Sequence, residues 1–416
     1  MSILRINGGR ALSGSVRVHG AKNSALPIMA ASLLADGETV IHNCPNLSDV
    51  DAAIKILNHL GCRARREDDR VIVHSGAIAR SDVPHTLMRE MRSSVIFLGA
   101  ILARTGEATL SMPGGCELGP RPVDLHLAAL RALGAEITEE GGNIICGASA
   151  LRGARVNLSF PSVGATENTM LAASLARGTT IITNAACEPE IWDLQSYLRR
   201  LGVNVRGAGT PTVMIEGASV RANTEHRVIP DRVVAATYLT AAAVTGGELE
   251  VTDTVPAHLT AMTDALREAG CEITSGGETI HIRADAPPRA IRPVTTRPYP
   301  GFPTDMQPPL MAATLRADGT TVFVENIFDN RYRHVDELRR LGADIKVEGR
   351  VAIVTGVKRL FGAPVKATDL RGGAALIIAA LGAEGTTDVS GLAHIDRGYD
   401  DLAGVLKELG ADIVRI

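Results

Sequence analysis

Apolar residues along the chain follow two different helical patterns. In SDVDAAIKILNHLG, residues 48–61, apolar positions recur every three or four residues, so Val50, Ala53, Ile54 and Leu57 share one face. Other segments, such as ENTMLAASLA, VVAATYLTAAAV and GGAALIIAALG, are apolar nearly all round. Because these segments are too short to cross a bilayer, we expect them to be helices enclosed by protein, with strands around them.

A repeat of 68 to 73 residues organises both patterns. A strand signal led by glycine, as in DGETVIHNCP and DGTTVFVENI, precedes each amphipathic helix, and a second glycine ends that helix. The six helix-ending glycines are Gly61, Gly134, Gly202, Gly270, Gly342 and Gly410. Each repeat predicts an apolar helix, a strand, an amphipathic helix with glycine at its C′ position, and one or two further strands.

Six repeats divide into two groups of three, which predicts an α/β protein of two domains with helices inside and sheets outside. The predicted domains are residues 22–229 and residues 230–416 together with 1–21. The N-terminal strands in LRINGGRALSGSVRVHG have no apolar helix of their own. We expect them to complete the last repeat of the second domain, and the chain to cross between domains in a two-strand hinge near residues 21 and 229.

Composition excludes several classes of function. The 416 residues are 45% hydrophobic, only 3% aromatic, and carry a formal net charge of −3, whereas a nucleic-acid-binding protein usually presents a basic face and stacking aromatics. The N-terminus lacks the apolar segment of a secretory signal. Six scattered cysteines and the histidine spacing form no zinc or other metal motif. We therefore expect a soluble cytoplasmic protein with free thiols, no nucleic-acid or membrane partner, no metal and no organic cofactor.

Charged residues lie where the predicted helices begin. They are Lys22, Arg92, Asp231, Asp305 and Arg371 for the apolar helices, and Arg121, Arg331 and Arg397 for the amphipathic ones. A lone arginine at a helix start is usually solvated, but the coincidence across repeats predicts that these ends converge. Clustered helix N-termini and cationic side chains would then bind a phosphate or carboxylate.

The stretch SMPGGCELGPRPVDLH places Cys116 among glycines and prolines, close to Arg121. Buried structural cysteines are normally flanked by core residues, so this thiol is expected on an exposed turn. Nearby cations would make its thiolate accessible from a reference pKa of about 8.5.

These motifs closely resemble those of the enolpyruvyl transferase family, in particular of the members that use UDP-N-acetylglucosamine. The resemblance covers essentially the whole chain and rests on GAKNSALP, MRSSV, PGGCELGPRPVDLH, PSVGATENTM, EPEI, PDR, FPTDMQ, ENIFDNRYRHV, ATDLRGG and HIDRGY. It implies two inside-out α/β barrel domains, each of three βαβαββ repeats, with the active site in the cleft between them. It also implies transfer of the enolpyruvyl group of phosphoenolpyruvate to the sugar 3′-hydroxyl with release of phosphate, the committed step of bacterial cell-wall peptidoglycan synthesis.

The resemblance also assigns roles to residues. It implies that Cys116 protonates C3 of phosphoenolpyruvate and is alkylated by fosfomycin, that Asp305 is the base for the sugar hydroxyl, and that Lys22 and Arg397 are catalytic. The implied phosphoenolpyruvate-binding residues are Lys22, Asn23, Arg121, Arg331, Arg371 and Arg397. The implied UDP-N-acetylglucosamine-binding residues are Asn23, Arg92, Arg121, Pro122, Val123, Asp124, Leu125, Ser162, Val163, Gly164, Asp305 and Ile327, with Phe328, Glu188 and Glu190 in second rank.

Four positions depart from the family pattern: Tyr332 stands where phenylalanine is common, Pro308 and Pro309 fall in an expected first turn, and Phe160 replaces a lysine found in some relatives. Two other functions stay open. Enolpyruvylshikimate-phosphate synthase shares the fold and phosphoenolpyruvate, but its site does not depend on a loop cysteine. A non-catalytic repeat scaffold that binds anionic sugars is the alternative from another class. We expect a monomer or weak oligomer.

Overall fold

The computed structural model of the protein describes residues 2–91, 93–112, 123–220 and 223–416. These residues fall into two compact units. The first unit comprises residues 20–112 and 123–229, and the second comprises residues 2–19 and Pro230–Ile416. Within the described residues, the chain therefore passes between the units after His19 and after Ile229.

Each sheet of the first unit has four strands. In the order given below, the first two strands of each sheet are parallel, and the other two neighbouring pairs are antiparallel. Numbered in chain order and given in their order across each sheet, the strands are β14 (Thr224–Arg227), β3 (Glu38–His42), β5 (Arg70–His74) and β4 (Arg63–Glu67); β6 (Asp82–Val83), β7 (Glu107–Ser111), β9 (Asn143–Gly147) and β8 (Glu136–Glu140); and β10 (Arg155–Asn157), β11 (Thr179–Thr183), β13 (Thr212–Glu216) and β12 (Asn204–Arg206).

The sheets of the second unit repeat the same arrangement. Their strands are β2 (Ser13–Arg17), β15 (Glu248–Thr252), β17 (Thr279–Arg283) and β16 (Glu272–Gly276); β18 (Val294–Thr295), β19 (Thr320–Val324), β21 (Val351–Thr355) and β20 (Asp344–Glu348); and β22 (Pro364–Lys366), β23 (Thr386–Ser390), β1 (Leu4–Asn7) and β24 (Asp412–Arg415). Within the described residues, the strands pair into six separate sheets, so strand pairing does not close either set into a barrel.

The helices are of the two predicted kinds. The apolar ones are α1 (Lys22–Ala31), α4 (Phe97–Thr105) and α6 (Val163–Ala173) in the first unit and α8 (Arg232–Thr245), α10 (Gln307–Thr314) and α12 (Leu370–Leu381) in the second. The amphipathic ones are α2 (Ser48–His59), α5 (Asp124–Ala132), α7 (Pro189–Leu201), α9 (Thr260–Glu268), α11 (Val335–Arg340) and α13 (Leu402–Glu408), and a short α3 covers His85–Glu90. Short 3-10 helices span Ser32–Leu34, Ser94–Ile96, Pro256–Leu259, Thr304–Met306, Arg331–His334 and Leu392–His394.

Enclosure of the apolar helices is confirmed. Every residue of α12 from Arg371 to Leu381 is buried, and so is every residue of α6 from Ala165 to Ala173. Helices this crowded need small residues where their backbones meet, and Gly99 of α4 shows why. A Cβ added at Gly99 would lie 2.3 Å from the carbonyl oxygen of Asn168 on α6, so any side chain there would separate the two helices.

The predicted glycine ends are also confirmed. All six helix-ending glycines have positive φ, between 91° and 103°, the left-handed conformation that glycine adopts most readily. The prolines at 308 and 309 fit because they occupy the first turn of α10, where the missing N–H would have no partner within the helix.

The N-terminal strands follow the prediction only in part. As expected, β1 completes the last repeat by lying between β23 and β24. However, β2 lies parallel to β15, in the first repeat of the second unit. The reason lies at the two crossings: β2 and β14 each come just before the chain leaves a unit, and each stays paired within the unit that the chain is leaving.

Candidate functional site

In the second unit, the carboxylate of Asp305 lies between two buried guanidinium groups. Its Oδ1 is 3.1 Å from Nη2 of Arg331, and its Oδ2 is 3.2 Å from Nε of Arg371. The side chains of Arg331 and Arg371 are only 1% and 2% exposed, whereas that of Asp305 is 29% exposed. The convergence of helix starts predicted from the sequence is therefore confirmed for these three residues, and the carboxylate is the member that solvent can reach.

Aromatic rings and backbone oxygens hold the two arginines in place. Nη2 of Arg331 also donates to the carbonyl oxygen of Thr304 at 2.9 Å, and its guanidinium lies 5.8 Å from the ring centre of Phe328. The guanidinium of Arg371 lies 5.4 Å from the ring centre of Tyr399. Burial opposes the charge of Arg371, but Tyr399, Asp305 and Asp231 outweigh it and raise the pKa of the guanidinium above its ordinary value. Both arginines are thus fixed and charged.

Each of these arginines retains buried donor capacity. Nε of Arg331 and Nη1 of Arg371 have no hydrogen-bond partner within the part of the chain that the structure describes. A buried cation is stable only when it is well paired, and here two guanidinium groups share the carboxylate of Asp305. The cluster is therefore suited to accept an additional small anion, such as a carboxylate.

Glu325 links the Asp305 segment to the following loop. This residue is 1% exposed, and its carboxylate accepts from the hydroxyl of Thr304 at 3.1 Å and from the backbone N–H groups of Ile327 at 2.8 Å and Phe328 at 3.0 Å. One carboxylate thus fixes the residue before Asp305 and the loop that carries Ile327. Glu325 was not predicted from the sequence, because an acidic residue at a strand end is usually solvated.

Aspartates cap two of the apolar helices of the second unit. Oδ1 of Asp231 accepts from the N–H groups of Val233 and Val234 at 2.8 and 3.1 Å, at the start of α8. Oδ1 of Asp369 accepts from the N–H groups of Arg371 and Gly372 at 3.1 and 2.9 Å, at the start of α12. The carboxylate of Asp369 therefore satisfies backbone donors at the helix start.

His334 lies buried beside this cluster. Its Nδ1 donates to the carbonyl oxygen of Arg331 at 3.2 Å, and burial lowers the pKa of the imidazole to about 4. The histidine is therefore neutral at pH 7 and adds no further charge next to Arg331. Arg397 lies half-buried between the last 3-10 helix and α13.

In the first unit, Lys22 opens α1 and is largely buried. Its Nζ lies 3.1 Å from Oδ2 of Asp49, in the first turn of α2, and the two side chains are 10% and 2% exposed. Asn23 follows Lys22 and is exposed. Asp49, which the sequence analysis did not single out, therefore holds the lysine from the neighbouring helix.

The predicted nucleotide-binding segment of residues 162–164 begins α6. Ser162 caps that helix by accepting from the N–H of Ala165 at 3.3 Å, and Gly164 lies against the buried ring of His126. A Cβ at Gly164 would lie 3.0 Å from Cε1 of His126. The imidazole is fixed in turn by Asn168, whose Nδ2 lies 2.7 Å from His126 Nδ1. A side chain at position 164 would therefore require the ring of His126 to shift.

Asn168 connects three helices of the first unit. Besides the imidazole on α5, its amide nitrogen donates to the carbonyl oxygen of Val95 at 2.8 Å. Its Oδ1 accepts from the N–H of Gly99, on α4, at 2.7 Å. The start of α6 is therefore positioned through a buried polar network, which the sequence pattern of an all-apolar helix does not reveal.

The other predicted residues are distributed as follows. Val123 and Leu125 are half-buried and Asp124 is exposed at the start of α5. Val163 is half-buried, and Phe160 is 42% exposed two residues before the α6 cap. Four predicted site residues lie outside the described residues: Arg92, Cys116, Arg121 and Pro122.

A buried acid adjoins this part of the first unit. Burial, together with Glu190 and Glu188, raises the pKa of Glu167 on α6 well above its ordinary value. Glu190 itself is 4% exposed, in the first turn of α7. Glu167 therefore keeps its proton to a higher pH than an exposed glutamate does.

The described residues contain no group of three or more His, Cys, Asp or Glu side chains arranged to hold a metal ion. Among the helices described, none is long and apolar enough to cross a membrane.

Comparison with known proteins gives full-length relatives. The chain is 53% identical over 416 residues to UDP-N-acetylglucosamine 1-carboxyvinyltransferase 2 of Caldanaerobacter subterraneus subsp. tengcongensis, with both chains covered completely. It is 47% identical over 417 residues to UDP-N-acetylglucosamine 1-carboxyvinyltransferase of Trichlorobacter lovleyi, covering 100% of this chain and 99% of the relative.

Solved structures give the same relationship. The enolpyruvyl transferase NikO of Streptomyces tendae matches with a TM-score of 0.90 and 27% identity, covering 100% of this chain and 98% of the other. EPSP synthase of Acinetobacter baumannii matches over the full length of both chains with a TM-score of 0.77, but its 20% identity supports the fold alone. A family model described as EPSP synthase (3-phosphoshikimate 1-carboxyvinyltransferase) matches residues 6–406. With this match and a relative 53% identical over its whole length, the chain belongs to the enolpyruvyl transferase family.

Proposed function

We propose that the protein transfers the enolpyruvyl group of phosphoenolpyruvate to the 3′-hydroxyl of UDP-N-acetylglucosamine and releases phosphate, the first committed step of peptidoglycan synthesis. The observation that carries the proposal is identity of 47–53% along the whole chain to relatives named for this activity. The buried Arg331–Asp305–Arg371 cluster supports it, because a doubly anionic substrate needs fixed cations.

The reaction divides into an addition and an elimination. The 3′-oxygen attacks C2 of phosphoenolpyruvate while C3 takes up a proton from the thiol of Cys116. The adduct then returns a proton from C3 to the thiolate of Cys116 and loses the phosphate from C2, which restores the double bond. The departing phosphate takes the proton that Asp305 received from the hydroxyl. Lys22, Arg121 and Arg397 hold the phosphate, and Arg331 and Arg371 hold the carboxylate. A thiol suits the acid's role because it is protonated at neutral pH yet releases its proton readily.

Asp305 serves as the acceptor of the hydroxyl proton. Two guanidinium groups hold the carboxylate in position, and it takes the proton as attack on C2 makes the hydroxyl acidic. Its exposure of 29%, against 1% and 2% for its partners, leaves the carboxylate open to the sugar.

Sugar recognition is assigned to residues of both units. Asn23, Arg92, Arg121 to Leu125 and residues 162–164 belong to one set, and Asp305 and Ile327 to the other. The cytoplasmic location, the absence of a cofactor and the monomeric or weakly oligomeric state stay predictions.

Phosphate release tests the proposal. Purified protein with phosphoenolpyruvate and UDP-N-acetylglucosamine is expected to release phosphate, and Cys116→Ala is expected to lose that activity while Cys116→Asp, which restores an acid, retains part of it. Fosfomycin is expected to label the parent and not Cys116→Ala, as judged by mass spectrometry. Phosphate release with shikimate 3-phosphate instead of the sugar nucleotide would assign the other acceptor, and release with neither would refute enolpyruvyl transfer.

A further inference from the structure

A buried carboxylate of the first unit, Asp193 on α7, accepts three hydrogen bonds. The donors are the hydroxyl of Ser24 at 2.5 Å, Nε2 of His226 at 2.8 Å and the backbone N–H of Ile229 at 3.2 Å. Asp193, Ser24 and His226 are 1%, 0% and 3% exposed. An ionised carboxylate only accepts, so His226 carries its proton on Nε2.

The three donors come from segments that adjoin Lys22 and the chain crossings. Ser24 lies in the first turn of α1, immediately after Lys22 and Asn23. Ile229 is the last residue before the chain enters the second unit, and its carbonyl oxygen accepts from the N–H of Ala21 at 2.7 Å. Asp193 therefore ties α7 to the start of α1 and to both segments in which the chain passes between units.

Neighbouring contacts make this arrangement rigid. The side-chain amide of Asn43 donates to the carbonyl oxygen of Val228 at 3.0 Å. A Cβ at Gly20 would lie 1.8 Å from the carbonyl oxygen of Asn43, so backbone approaches backbone there. The ring of Tyr197 meets that of His226 edge-on, with centres 5.7 Å apart. In a site closed to water, the carboxylate keeps its position only if its donors keep theirs.

Lys22 is held both at its side chain and at its backbone. Its ammonium group pairs with Asp49 at 3.1 Å, whereas its backbone is placed by the first turn of α1. The Asp49 contact alone does not fix that turn, because a lysine side chain has several rotatable bonds. The side chain of Ser24, two residues after Lys22, fixes this turn through its hydrogen bond to Asp193.

We propose that Asp193 is a positioning residue: by holding Ser24 against His226 and Ile229, it places Lys22 and Asn23 for phosphoenolpyruvate. Asp193 takes no part in the chemistry. The inference rests on the proposed function, in which Lys22 binds the phosphate of that substrate.

The chain offers a matched pair of substitutions. Ser24→Ala removes one donor from Asp193, and Ser32→Ala removes an equally buried hydroxyl that donates to the carbonyl oxygen of Met29 at 2.6 Å, in the segment that follows α1. Both variants lose one buried hydrogen bond, and the unfolding temperature is expected to fall further in Ser24→Ala because the hydroxyl of Ser24 bonds to a charged group. Only Ser24→Ala is expected to raise the KM for phosphoenolpyruvate, by about tenfold, with a smaller rise in the KM for UDP-N-acetylglucosamine, to which Asn23 is also assigned.

Asp193→Asn supplies the conservative rescue. With its oxygen in place of Oδ2, the asparagine can accept from Ser24 and Ile229, and its amide can donate to Nε2 of His226 in the other tautomer of the imidazole. Its KM for phosphoenolpyruvate is therefore expected to lie closer to the parent than that of Asp193→Ala. Equal KM values for phosphoenolpyruvate in Ser24→Ala and Ser32→Ala would overturn the inference, even if Asp193→Ala fails to fold. An inactive parent protein would instead refute the proposed function, so the two failures are distinguishable.

Discussion

Replacing Glu325 by alanine tests whether one buried carboxylate organises the Asp305 segment. The change leaves three donors without their acceptor: the hydroxyl of Thr304 and the N–H groups of Ile327 and Phe328. An unsatisfied buried donor costs about 1–3 kcal/mol. Ile327 and Phe328 are half-buried, so water can reach them and the lower value applies, which gives a loss of about 3 kcal/mol for the three donors. For a unit of this size, that loss lowers the unfolding midpoint by roughly 6–12 °C.

Glu325→Gln is the control that separates hydrogen bonding from bulk. Both backbone N–H groups bond to the same oxygen, Oε1, so a glutamine oxygen at that position retains both. Its amide group can donate to Thr304, whose hydroxyl rotates to accept. We expect the free energy of unfolding of the glutamine variant, from thermal denaturation, to lie within about 1 kcal/mol of that of the parent. Only the alanine variant is expected to show a higher KM for UDP-N-acetylglucosamine. Equal loss of stability in the two variants would refute the account of Glu325 as an acceptor.

Two further predictions concern the first unit. Burial and the neighbouring acids raise the pKa of Glu167 above 4.5, so its stabilising contribution is present below about pH 4.5 and is lost as pH rises through the pKa in the folded protein. The melting temperature of Glu167→Gln is therefore expected to exceed that of the parent at pH 8 and to equal it at pH 4.5. A melting difference independent of pH would contradict this. Gly164→Ala is expected to raise the KM for UDP-N-acetylglucosamine about tenfold, because the new Cβ would lie 3.0 Å from the ring of His126 and displace it. Gly147→Ala is the control expected to match the parent, because no atom lies within 4 Å of its added Cβ. Unchanged KM values in both alanine variants would show that the ring gives way freely.

The sequence predicted the repeat and its helices well because both depend on local patterns. The all-apolar segments had to be enclosed, and each glycine after an amphipathic helix had to adopt positive φ; both requirements are met in the structure. The partner of β2 could not be predicted in this way. Strand pairing depends on where the chain crosses between units, and the pattern SGSVR is compatible with any sheet edge.

Prediction of the site had a similar limit. Asp305, Arg331 and Arg371 were identified because each stands near a helix start, and three related repeats bring those starts together in the second unit. Glu325 and Asp193 were not identified, because what distinguishes them is burial with several donors from distant segments. The contact between Asp193 and Ser24 joins residues 169 positions apart, and no periodicity along the chain encodes it.

The structure also changes the reason for expecting anion binding. The sequence suggested that clustered helix N-termini would supply free N–H groups, but those of α8 and α12 already bond to Asp231 and Asp369. The first turn of α10 contains two prolines, which have no N–H to offer. In the second unit, the side chains of Arg331 and Arg371 are therefore better suited to an anion than the N–H groups of these helix starts. Because guanidinium groups bind a carboxylate in a planar, two-point geometry, this arrangement favours selection of substrates by shape as well as by charge.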